Sequence, residues 1–154
     1  MLPFAPSTRA AVVAVLVSTP LAGLAGQTSK ACSLVTPAEA AHILGRPHVA
    51  PLKLLSDDEQ CFYGENGYLI VEIEEMDAAQ RKAGLKPYVR DNKAEPVSGV
   101  GDEAVFWQIG DSLIIARKGA QLVTVTLTRN WGGPPAQLRP TLVKVAKTAL
   151  ARLP

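Results

Sequence analysis

Charge is scarce in this chain. Asp, Glu, Lys and Arg make up 19% of its 154 residues, below the roughly 25% usual for soluble domains. No long block of like charge occurs, which argues against wholesale disorder. The 16 basic and 14 acidic residues nearly balance, which argues against a nucleic-acid binder with its concentrated basic face. Two distant cysteines and two scattered histidines do not suggest the ligand set of a zinc site. Cys-x-x-Cys redox spacing is absent. So are the Gly-Lys-Ser/Thr end of a phosphate loop, the dinucleotide fingerprint and the Gly-x-Ser-x-Gly nucleophile elbow. What remains is a 47% hydrophobic sequence of a length that suits one domain.

The N-terminus reads as an address. Met1 to Arg9 carries one basic and no acidic residue, and the apolar run Ala10–Val17 follows. Ser18, Thr19 and Pro20 then lead to Gly23-Leu24-Ala25, the small-x-small pattern of a signal-peptidase site. The expectation is a signal peptide over 1–25, cleaved after Ala25, and a single mature domain over 26–154. A membrane anchor is the rival reading. Ala10–Ala25 is interrupted by Ser18, Thr19 and Pro20 and falls short of the roughly 20 apolar residues that span a bilayer. Ser29-Lys30-Ala31 before Cys32 does not make a lipobox either, because the lysine does not fit. The expected location is the periplasm or the medium, with no membrane span after cleavage.

Cys32 and Cys61 both fall in the mature part. In an oxidising compartment an even count implies pairing, and two cysteines allow one intramolecular bond. A structural disulfide is expected.

Thr36-Pro37-Ala38-Glu39 opens a helix with a capping box and a proline in the first turn, and Gly45 closes it, which predicts Pro37–Leu44. His48–Leu55 reads as an edge strand weakened by Pro51. Cys61–Tyr63 and Tyr68–Glu75 read as strands joined through Asn66-Gly67, a hairpin signal. In the second strand Leu69, Val71 and Ile73 alternate with Ile70, Glu72 and Glu74. A capping box at Asp77–Gln80 and Gly84 bound a helix over Ala78–Ala83. Leu85–Ser98, with Pro87 and Pro96, reads as a long loop. Three strands follow at Glu103–Ile109, Leu113–Lys118 and Gln121–Arg129, separated by Gly110-Asp111 and Gly119-Ala120. A final amphipathic helix is predicted over Pro140–Leu153. The expected fold class is α+β: an antiparallel sheet of about five to six strands, helices mainly on one face, and one disulfide.

Three stretches carry a resemblance: Ala31-Cys32-Ser33-Leu34-Val35-Thr36-Pro37 leading to Ile43-Leu44-Gly45, Cys61-Phe62-Tyr63, and Pro96–Ala104 with Gly99-Val100-Gly101-Asp102-Glu103-Ala104. Together they resemble a group of small exported bacterial proteins of unknown function, including many actinobacterial lipoproteins. The resemblance implies a disulfide-tied α+β domain in the cell envelope. It carries over no catalytic residue.

Gly99-Val100-Gly101-Asp102 precedes a strand, whereas phosphate-binding glycine loops feed a helix N-terminus. A tight turn in which Asp102 accepts from backbone amides is the expectation. Glu72, Glu74, Glu75 and Asp77 lack the spaced loop that wraps calcium and read as a solvated strand face. His42 reads as a partly exposed helix residue, and Asp57-Asp58-Glu59 as a polar loop. Trp131 in a Gly/Pro loop could serve recognition, but a ring folded over the sheet edge or last helix is the expected use. No catalytic residue, metal ligand or cofactor is assigned. Asp102, Trp107 and Trp131 are the candidate ligand or partner contacts. The expected function is a non-catalytic module for a protein, peptide or small ligand in the envelope. A small hydrolase or transferase with an unrecognised site is the alternative.

Overall fold

A computed structural model describes residues 29–46, 51–52, 58–64 and 68–154. The expected leader at 1–25, His48, Asp57 and the expected hairpin turn at Asn66-Gly67 lie outside the described residues.

Two helices start the domain. Helix α1, Lys30–Leu34, has no counterpart in the sequence reading. Ser29 Oγ caps it by accepting from Cys32 N–H at 3.1 Å, and it buries Ala31 and Leu34. Helix α2 is Pro37–Leu44, as expected. Its capping box is closed: Glu39 N–H donates to Thr36 Oγ1 at 3.3 Å, and Thr36 N–H donates to Glu39 Oε2 at 2.8 Å. Gly45 stops it in the left-handed region, at φ 62.

The sheet has seven strands among the described residues, β1 (Pro51–Leu52), β2 (Gln60–Tyr63), β3 (Leu69–Glu75), β4 (Glu95–Pro96), β5 (Glu103–Ile109), β6 (Asp111–Lys118) and β7 (Gln121–Leu127). Their order is β1-β2-β3-β7-β6-β5-β4, antiparallel throughout. The outermost strands are two residues each, so five strands carry the sheet. Pro51–Leu52 is what is described of the expected His48–Leu55 strand, and it does lie at an edge. Glu95–Pro96 falls inside the stretch expected to be a loop and corrects it. Helices α3 (Ala78–Ala83) and α4 (Lys86–Asn92) bridge the two halves. The second of these is also a correction. Pro87 sits in the first turn of α4, where a missing N–H costs nothing.

Period-two alternation divides the sheet faces. Tyr63, Leu69, Val71, Ile114, Val123, Val125 and Leu127 point into the main core and are fully buried. Helix α5, Pro135–Ala151, covers that face with Leu142, Val145, Ala146, Ala149 and Leu150. It begins five residues before the expected Pro140, which lies inside it. That proline removes the bond to the Ala136 carbonyl, in an exposed turn where water can replace it. On the opposite face Val105, Ile115 and Leu122 form a smaller cluster with Met76, Leu85 and Ala94 from the α3–α4 segment.

Cys32 and Cys61 are bonded, with Cα atoms 5.0 Å apart, tying α1 to β2. Tyr63 adds to this anchor: its hydroxyl donates to the Val35 carbonyl, and the Cys32 carbonyl lies 3.4 Å away. Burial pushes the phenol above its ordinary pKa, Glu39 adds to that, and Arg152 opposes it.

Arg152 closes the same corner. Its two terminal nitrogens donate to Glu39 Oε1 and Oε2, each at 2.7 Å, and one also donates to the Leu34 carbonyl at 2.7 Å. The guanidinium hydrogen bond, helped by donors on Thr36 and opposed by burial, lowers the Glu39 pKa from 4.5 to about 2. A carboxylate whose pKa is depressed by folding stabilises the fold above its unfolded value and loses that contribution as the pH falls through the folded one. Stability should therefore decline between about pH 4.5 and 2, by about 1 kcal/mol for a pair roughly one-third exposed. Urea unfolding across that range checks it: Glu39→Gln should flatten the decline.

Candidate functional site

Gly84 sets the site's geometry. It ends α3 at φ 59 and ψ −148, a conformation that favours glycine, and a Cβ there would lie 2.5 Å from Glu103 Oε2. The close approach lets Glu103 Oε2 accept from Leu85 N–H at 2.8 Å, which pins the start of α4 to β5. Glu103 and Asp102 also flank the Arg117 guanidinium, at 3.6 and 3.5 Å. Asp102 Oδ2 accepts from Gly119 N–H at 2.7 Å, and Asp102 N–H donates to the Arg117 carbonyl at 2.8 Å. Both acidic groups are thus engaged with the protein itself.

Between α4 and the segment Pro96–Val105 lies an open cleft of about 480 Å³. Leu85 and Val89 form its helix wall, and Val97, Val100 and Ala104 much of the facing wall. Lys86 and Arg90 stand on the helix side; Arg90 is paired with the adjacent Asp91 at 2.6 Å. Of the lining residues Ser98 alone carries a hydroxyl, and none is His or Cys. The volume and apolar walls suit a small ligand. Nothing in the lining pairs a nucleophile with a base.

The three candidate contacts are not brought together. Asp102 lines the cleft and performs the turn-closing role expected of it. Trp107 lines a separate notch with Phe106 and Gln108, next to β4. Trp131 is buried in the main core, with its ring so close to Gly133 that a Cβ there would lie 2.1 Å from the ring edge. Its position fits the structural use of that ring. His42 is exposed on α2. Glu74 and Glu75 are exposed, whereas Glu72 is half-buried and accepts from Gln60 Nε2 at 2.6 Å. Burial raises the Glu72 pKa, the Gln60 donation lowers it, and Glu74 raises it.

Sequence reasoning misses Leu85, Lys86 and Val89, because Pro87 marks their stretch as a loop. The i, i+4 spacing of Leu85 and Val89 is the available signal.

Asp102→Ala should cost about 1 kcal/mol by leaving the Gly119 amide without its acceptor, and Asp102→Asn, which keeps an oxygen, much less. Thermal unfolding of the pair checks this.

A scan against family models, a search of curated proteins and a search of solved structures each returned no match.

Proposed function

We propose that this is an exported envelope protein whose folded domain binds a small, largely apolar molecule in the α4 cleft without transforming it. One observation carries the reading: a cleft of about 480 Å³ with apolar walls, whose acidic groups are both committed to internal bonds. Export is supported by the leader-like 1–25 segment and by a disulfide, a bond that persists in oxidising compartments. No helix among the described residues is long and apolar enough to cross a membrane. The resemblance to exported actinobacterial proteins points the same way.

The probe is 1-aminoanthracene, a neutral aromatic whose fluorescence rises on leaving water. Val89 is 37% exposed at the cleft rim, so Val89→Glu changes the wall without touching the core. Saturable binding that weakens about tenfold or more in Val89→Glu is the expected result. No saturable binding, or equal binding by the variant, would refute the cleft as the site.

A further inference from the structure

At the outer edge of the sheet β4 stops short. It pairs with Val105 and Phe106 alone, and β5 runs on to Ile109. Val97 N–H donates to the Ala104 carbonyl at 2.8 Å. In an antiparallel ladder, residues facing one neighbour alternate with those facing the other. Ala104, Phe106 and Gln108 therefore turn their N–H and C=O groups toward the edge, while Val105 and Trp107 face β6. On that side no strand residue among the described residues pairs with Gln108, so its N–H and C=O face the edge without a ladder partner among them. Among the described residues, the backbone preceding β4 does not fill the position. Lys93, the next residue due opposite Gln108, turns the backbone away into α4 at φ 54. It is the one non-glycine at positive φ among the described residues.

The gap is a notch of about 360 Å³ lined by Asn92, Lys93, Glu95, Phe106, Trp107 and Gln108. Its charges are unequal. Glu95 is bound to Arg139, which also stands 4.9 Å over the Phe106 ring. Lys93 has no acidic partner among the described residues. The Trp107 indole N–H is buried and has no hydrogen-bond partner among them either.

From this geometry we propose a second site, independent of the α4 cleft: the notch receives the C-terminal tail of another polypeptide as an added strand. Direction decides which end. A strand antiparallel to β5 on this line runs the same way as β4, so its last residue abuts the point where β4 begins. Its free carboxylate then lies beside Lys93. Its backbone takes the Gln108 N–H and C=O as β4 takes those of Phe106. An N-terminal tail would have to run parallel to β5 and bring its ammonium against the lysine.

The test uses the full oxidised chain and the peptide acetyl-Thr-Val-Thr-Val with either a free or an amidated C-terminus. Lys93→Gly is the companion variant, because glycine suits φ 54 and the fold should keep or gain stability. Expected are saturable binding of the free acid, protection of the Gln108 amide from hydrogen exchange, and about tenfold or weaker binding of the amide. Lys93→Gly should unfold at the same or higher temperature and lose the preference for the acid. Equal binding of acid and amide, an unchanged preference in Lys93→Gly, or no binding of the acid would overturn the proposal. Each of these outcomes leaves binding of 1-aminoanthracene to the cleft unaffected.

Discussion

Gly101→Val is expected to destabilise the domain by about 3 kcal/mol or more. Gly101 has φ +60, and a Cβ on it would lie 2.3 Å from the Arg117 carbonyl oxygen and 3.0 Å from Leu150 Cδ1. Neither neighbour can yield cheaply. The carbonyl is held by the Asp102 N–H, and Leu150 is a buried residue of α5. Gly99 is the control two residues away. It has φ +72 but nothing within 4 Å of where a Cβ would stand, so Gly99→Ala should cost about 1 kcal/mol from the backbone alone. Urea unfolding of the two variants separates the steric cost from the conformational one. Equal losses would mean that the close approach to Arg117 has no energetic weight.

Removing the disulfide is the second large perturbation. Cys32 and Cys61 are 29 residues apart, and closing such a loop stabilises by about 3–4 kcal/mol on the chain-entropy argument. The Cys32→Ala, Cys61→Ala double variant should melt roughly 10 °C or more below the parent. The sheet should survive, because Tyr63 still bonds to the Val35 carbonyl and the main core keeps all its members but Cys61, replaced there by a small apolar alanine. Far-ultraviolet circular dichroism with a thermal melt reads both. Reduction of the parent should reproduce the shift, and an unaltered melting temperature would show that the bridge constrains nothing.

Elements bounded by their own local chemistry are legible in the amino-acid sequence. Helices α2 and α3 and strand β5 begin and end where expected, because caps, glycines and a tight turn enclose each within a few residues. Elements that depend on distant partners are not legible in this way. Helix α1 has five residues, too short to hold without the Ser29 cap, the bridge to β2 and burial of Ala31 and Leu34. Strand β4 exists through its pairing with β5. Prolines mislead in both directions. Pro87 opens a helix where its presence suggests a loop, and Pro140 lies within a helix that it is expected to begin. The candidate site inherits this division. Asp102 and its glycines are legible as a turn, whereas the cleft they help to wall needs α4 on its other side.

The most direct measurement is a titration of the isotope-labelled protein with 1-aminoanthracene, followed by two-dimensional amide NMR. Binding in the α4 cleft predicts dose-dependent shifts concentrated at Leu85, Lys86, Val89 and the Val97–Ala104 amides, with His42 and the β2 amides unmoved. Shifts centred anywhere else, or none while the probe is bound, would contradict the cleft as the site.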